Sequence, residues 1–133
     1  MDKEKNAIET LVRMRLIKRA LAPFQDTCVW CPAVNNNVWI THQGIKETAH
    51  WASRGDASTI LAMHAIEVLQ SARKKTATLV PKPNKSQSKI FKFSELYEIE
   101  SKTEYGKAIV RIGKDDKKFI LQYCIVTKEK TAK

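Results

Sequence analysis

The sequence predicts an α+β fold, with N-terminal helices packed on a C-terminal antiparallel β-meander of about four strands. Three observations carry this. Apolar residues recur at three- and four-residue spacing through the first half of the chain. Beyond a stretch holding Pro81, Pro83, Ser86 and Ser88 the apolar period changes to two. No internal repeat is visible, and segregation of helices before strands distinguishes α+β from an alternating parallel architecture.

Residues 3–21 read as a helix, with Ile8, Leu11, Val12, Leu16 and Ala20 at helical spacing and Pro23 as the stop. Residues 22–37 read as irregular, with Asn35-Asn36-Asn37 as a turn, and Val38–Thr41 as a short strand. Gly44 opens a second helix over about 45–53, its inner face marked by Ile45, Ala49 and Ala52, and Gly55 ends it. Asp56 is a good N-cap for a third helix over about 57–73, with Leu61, Ala65, Val68, Leu69 and Ala72 as the apolar stripe. Residues 75–88 read as a loop. Ile90–Phe93 and Leu96–Ser101 have strand character, and Tyr105–Ile112 and Phe119–Val126 form an antiparallel hairpin about Gly113-Lys114-Asp115-Asp116. The domain reading is an N-terminal helix over 1–22 and an α+β domain over 23–133, together one unit with one core, since 133 residues divided in two would give marginal cores.

With 24 Lys and Arg against 14 Asp and Glu, the formal net charge is +10, which points to a polyanionic partner such as RNA. The excess concentrates in Arg73, Lys74, Lys75, Lys82, Lys85, Lys89 and Lys92, a stretch without an acidic residue that suits phosphate attraction and equally a solvated connecting segment. No run approaches the roughly 18 apolar residues of a membrane span, and the Lys- and Arg-studded start does not resemble a secretory leader. Three cysteines at positions 28, 31 and 124 make no disulfide framework, which suits a reducing, cytoplasmic setting. Cys28-Val29-Trp30-Cys31 has half the ligands of a zinc knuckle and lacks a second pair, so the cysteines read as packing residues beside Trp30, and no metal or cofactor is expected.

The most informative stretch runs from Val38 to His50. Lys46, His50 and Arg54 are spaced by four and share a helix face if the helix reaches Arg54. A histidine transfers protons near neutral pH, and flanking cations hold a phosphate and stabilise developing charge. His42 lies just before the helix, where an N-terminus favours anions. The same pattern is also that of an amphipathic helix with a solvated polar face. His64 falls between Ile60 and Val68 and reads as a hydrogen-bonded core histidine. Tyr97, Tyr105, Tyr123 and Arg111 lie on the expected sheet, where aromatics interleaved with cations suit base stacking and phosphate contact, and equally a half-buried sheet.

The strand–turn–helix carrying Ile40-Thr41, Gly44-Ile45-Lys46-Glu47 and His50 resembles the phage-associated branch of the barnase–EndoU–colicin–RelE-like nuclease superfamily. So does the helix ending Glu67–Arg73, followed by a Lys- and Pro-containing loop and a meander. The similarity covers about residues 34–126. It implies helices on an antiparallel sheet and metal-independent RNA cleavage, in which a base takes the ribose 2′-hydroxyl proton and an acid protonates the leaving oxygen. Lys46, Glu47 and His50 are the positions that match the motif. On this reading His50 is the general acid or base, Lys46 and Arg54 are phosphate ligands, and His42 is a second proton-transfer group. Arg73, Lys74, Lys75, Lys82, Lys85, Lys89 and Arg111 are nucleic-acid contacts. Two rivals stand beside it: a basic nucleic-acid-binding module without catalysis, and a mobile-element interaction protein with an acidic partner or inhibitor.

Overall fold

The computed structural model describes residues 2–79 and 94–126, with side chains described over 7–78 and 94–126. The first helix, α1, spans Asp2–Leu21. It enters the core through Ile17 and Leu21, both fully buried, with Met14 half-buried beside them. Arg13 secures it further by donating from Nε to the Asp56 carboxylate at 2.9 Å. The expected inner stripe lies outward instead, with Ile8 63%, Leu11 57%, Val12 50% and Leu16 41% exposed. Periodicity marks an apolar arc without saying which arc meets the core. This helix has a second arc, Met14, Ile17 and Leu21, close to where the chain turns back, and that arc packs.

A 3₁₀ turn over Ala22–Phe24 holds Pro23 near its start. Two strands follow in the segment expected to be irregular: β1, Thr27–Cys31, and β2, Asn36–Ile40, paired antiparallel. Their connection turns through Pro32–Asn35, where Asn35 takes φ 52°, a left-handed conformation that asparagine tolerates. Only Val29 and Cys31 of β1 are buried, and that pair is too short to announce a strand.

Helix α2 covers His42–Ala52, three residues earlier than the sequence suggests. Thr41 caps it, its hydroxyl accepting from the Gly44 N–H at 3.0 Å. Gly44 therefore does not start the helix; it sits within the first turn, buried, where an added Cβ would overlap the Leu121 carbonyl oxygen. The expected single helix over 57–73 is two: α3, Asp56–Met63, and α4, Ala65–Ser71, broken at His64. Gly55, not Asp56, occupies the N-cap position of α3.

The last strands are β3, Ala77–Leu79; β4, Glu95–Thr103; β5, Gly106–Asp115; and β6, Lys118–Val126. The expected segment Ile90–Phe93 lies outside the described residues. The β5–β6 hairpin forms as expected, but β5 runs through Gly113 and Lys114, and the turn carries Asp116 at φ 58°. Among the described residues the sheet has six strands in the order β1-β2-β6-β5-β4-β3. It is mixed, because β6 pairs parallel to β2. This corrects the four-stranded antiparallel meander. Strand β6 inserts between its hairpin partner and β2, a long-range pairing that alternation within a strand cannot reveal.

Gln122 is an extra residue in β6: Arg111 stands opposite Tyr123, and Ile112 opposite Leu121. The bulge resets the two-residue period, so Leu121 and Cys124 both reach the core while Ile120 and Tyr123 share the other face. Val29, Val38, Ile40, Ile99, Val110, Ile112, Leu121 and Cys124 form one cluster with helix residues Ile17, Ile45, Ala49, Leu61 and Leu69. The helices therefore cover one face of the sheet. Trp30, Trp39, Ile120, Tyr123, Arg111 and Leu96 belong to the opposite, outer face by register.

Candidate nucleic-acid interface

Helix α2 buries Gly44, Ile45, Thr48, Ala49 and Ala52 and turns His42, Lys46 and His50 to solvent, with Glu47 half-buried. The four-residue spacing places His42, Lys46 and His50 in one row, about 6 Å apart per step along the axis. Arg54 does not continue it. The helix stops at Ala52, Ser53 is the C-cap, and Arg54 folds over the Trp51 ring at 5.1 Å. The ring of His50 meets Trp51 edge-on at 4.9 Å.

The row divides between two depressions. His42 and Lys46, with Lys18 and Gln25, border a cleft of about 160 Å³ between α1 and α2. Trp51 and Arg54 line a wider cavity of about 640 Å³ with Ala57, Ser58, Ile109, Ile125 and Val126. His50 lines neither. The two histidines stand about 12 Å apart along the helix axis. The proposed phosphate ligands Lys46 and Arg54 thus lie in different depressions, and the four residues do not meet on one concave surface.

The expected basic contacts are dispersed as well. Arg73, Lys74 and Lys75 are exposed after α4, with Arg73 donating to the Gln70 carbonyl at 3.2 Å. Lys82, Lys85 and Lys89 lie outside the described residues. Arg111 sits on the outer face of β5, its guanidinium 5.6 Å from the Tyr123 ring and 3.9 Å from the Glu98 carboxylate. Its Nε is buried without a hydrogen-bond partner among the described residues.

Cations over aromatic rings recur around the hairpin end of the sheet. On the outer face Lys118 lies 5.3 Å over Trp39, with Ile120 between it and the Arg111–Tyr123 pair along β6. Trp30, half exposed on β1, is a diagonal neighbour of Trp39 because it stands opposite Asn37. On the helix side Lys114 lies 5.8 Å over Phe119 and Lys75 lies 4.6 Å over Tyr97. The Tyr97 hydroxyl donates to the Glu95 carboxylate, and that bond, with burial, pushes its pKa up to about 12. Tyr105 plays another part, stacking on His64 at 4.1 Å. The half-buried His64 ring also bonds the Ile60 carbonyl through Nδ1 at 2.9 Å, so it stitches the helix break to the β4–β5 turn.

Alternation in the sequence held a signal for Trp39 and Lys118. Val38 and Ile40 flank Trp39 and face the core, which turns the indole outward; Phe119 does the same for Lys118 and Ile120. The two cysteines of β1 point to opposite faces, Cys28 exposed and Cys31 buried, so the strand does not converge them on one ligand. Burial raises the Cys31 thiol and pushes Cys124 up to about 12, so both are protonated packing groups at neutral pH. Among the described residues no helix is long and apolar enough to cross a membrane. No family model, curated protein or solved structure matches this chain.

Proposed function

We propose that this protein binds single-stranded RNA, or a chemically similar polyanion, without cleaving it. The observation carrying this reading is the row on the outer sheet face: Lys118 over Trp39 with exposed Trp30 diagonal to it, and Arg111 over Tyr123 further along β6. A base stacks on a ring while the adjacent cation meets the phosphate that follows it, and this combination is tolerant of sequence. The net charge of +10 supplies long-range attraction to the backbone. The exposed row on α2 lies on the helix-covered side of the sheet and forms a second basic surface apart from the stacking platform.

Trp30→Ala tests this best because the side chain is half exposed and not part of the common core. Removing one stacking ring weakens single-stranded RNA binding by about 1–3 kcal/mol, roughly 5- to 150-fold. Lys118→Ala acts on the same platform. Fluorescence anisotropy with a short labelled RNA reads both. Unchanged affinity in both variants places binding elsewhere and refutes the reading.

Metal-independent cleavage, the activity implied by the nuclease resemblance, is favoured by one observation: His42, Lys46 and Lys18 border a single cleft. It requires proton transfer there, with His42 and not His50 beside the bound phosphate. Incubating RNA with purified protein in EDTA, beside His42→Ala and His50→Ala, distinguishes the two. Intact RNA throughout upholds binding alone. Cleavage lost only in His42→Ala transfers the assignment to the cleft, since a histidine in general acid–base catalysis contributes about 10²–10⁴-fold.

A further inference from the structure

Strand β6 parts from β2 after Ile120, since their parallel pairing consists of Val38 with Phe119 and Trp39 with Ile120. Beyond that point the corner between α2 and α3 stands where a further strand would, and the Val126 N–H donates to the Ser58 hydroxyl at 3.3 Å. A strand would lie about 4.8 Å away, whereas a helix with its side chains is about 10–12 Å across and leaves space beside the edge. The result is the cavity of about 640 Å³ between Trp51, Arg54, Ala57 and Ser58 on one side and Ile109 and Ile125 on the other, the last two opposite each other in the hairpin. Its size falls within the roughly 300–1,000 Å³ of small-molecule sites. Gly55 keeps it open, because nothing lies within 4 Å of the place its Cβ would take. We propose that this cavity binds a small amphipathic carboxylate, its apolar body between Trp51 and the Ile109–Ile125 pair and its carboxylate at Arg54 and Ser58.

The lining selects that ligand by polarity and by charge. Most of the wall is aliphatic or aromatic, which rewards an apolar body. Two charged side chains border the space, Arg54 and Asp56. The Asp56 carboxylate is already answered from α1, accepting from Arg13 at 2.9 Å. Arg54 has no carboxylate partner among the described residues. Its guanidinium is held 5.1 Å from the centre of the Trp51 ring, so less freedom is lost when an anion arrives. Ser58 accepts from Val126 and keeps its own O–H to donate. A guanidinium beside a hydroxyl donor matches a carboxylate, while an amine would meet Arg54 as a like charge. A nucleotide fits poorly, because its ribose hydroxyls and base edge would face Ile109, Ile125 and Val126 without partners. None of the stacking-platform residues takes part, so this inference stands apart from RNA binding.

The test is isothermal titration calorimetry of the full chain with naphthoate and decanoate, beside naphthamide, acetate and adenosine monophosphate. The two acids share the proposed chemistry, and their order shows whether the walls prefer an aromatic or an aliphatic body. At least one binds with a Kd between about 10 μM and about 1 mM, as expected for about a dozen heavy atoms. Naphthamide binds about ten-fold more weakly than naphthoate, having lost the charge-assisted bond, and acetate gives no saturable heat. Arg54→Gln weakens naphthoate by about ten-fold and leaves naphthamide unchanged. Gly55→Phe fills the cavity and abolishes binding; its backbone is extended at φ −158° and its Cβ meets open space, so the fold is kept. Ala57→Trp fills the same space from an exposed position, and circular dichroism and thermal melts of both variants establish that they fold. Absence of binding by both acids overturns the inference. Naphthamide or adenosine monophosphate binding as tightly as the acids overturns the ligand class. Acid binding that survives in a folded filled variant belongs to another surface and overturns the site.

Discussion

Replacing Gly44 by alanine tests the packing that positions the basic row. In an exposed helix the change stabilises by about 1 kcal/mol, because alanine has the higher helix propensity. Here the new Cβ overlaps the carbonyl oxygen of Leu121. Both partners are backbone, one in the first turn of α2 and one in a central strand, so neither yields by a rotamer change. Helix α2 must lift from β6, loosening Ile45, Thr48 and Ala49 in the core. Overpacking of this kind costs about 1–3 kcal/mol. A clash of backbone on backbone belongs at the upper end of that range, about 2–3 kcal/mol, so against the propensity gain the variant is destabilised by about 1–2 kcal/mol. Urea unfolding followed by tryptophan fluorescence reads this as a lower midpoint at unchanged slope. A midpoint equal to or above wild type would mean that α2 does not approach β6 at Gly44, and the placement of His42, Lys46 and His50 would fall with it.

Two further predictions concern groups inside the fold. His64→Ala removes the stack on Tyr105 and the bond to the Ile60 carbonyl, and lowers stability by about 1–2 kcal/mol with RNA affinity unchanged; calorimetry and anisotropy separate the two effects. The Cys124 thiol, raised by burial from 9.0 to about 12, keeps its proton more tightly when folded. Its contribution is complete below pH 9 and is lost toward pH 12, at about 1.4 kcal/mol per pH unit. Cys124→Ala makes the alkaline decline shallower; an identical pH dependence counts against burial of this thiol.

Much of the architecture was legible in the sequence where local pattern decides it. Ile45, Ala49 and Ala52 marked the buried face of α2, and the strict alternation of Ala108, Val110 and Ile112 marked β5. What escaped depends on long-range geometry. The insertion of β6 beside β2 follows from packing of helices on one face, and β1 is too short to show a period. The outward stripe of α1 was misassigned because two apolar arcs compete and the core takes the one nearer the chain reversal. The candidate site shows the same division. The four-residue spacing of Lys46 and His50 was readable, but the start of α2 at His42, which adds that residue to the row, and its end at Ala52, which sends Arg54 to Trp51, were not. Pairing Lys118 with Trp39 required knowing the β2–β6 register, since 79 positions separate them in sequence.

The most direct test of the functional reading is the salt dependence of RNA binding. Single-stranded RNA releases counterions as cations replace them, with a slope of log affinity on log salt near −0.7 per neutralised phosphate. On the platform Lys118 is without a carboxylate partner among the described residues and Arg111 is partly neutralised by Glu98, while Lys114 and Lys46 stand on the helix side of the sheet. Two to four phosphate contacts give a slope of about −1.4 to −2.8. Anisotropy titrations of a labelled single strand between about 50 and 200 mM salt measure it. Binding with that slope is expected, shallower in Lys118→Ala by about 0.7. Affinity indifferent to salt, or no binding at the lowest salt, contradicts it.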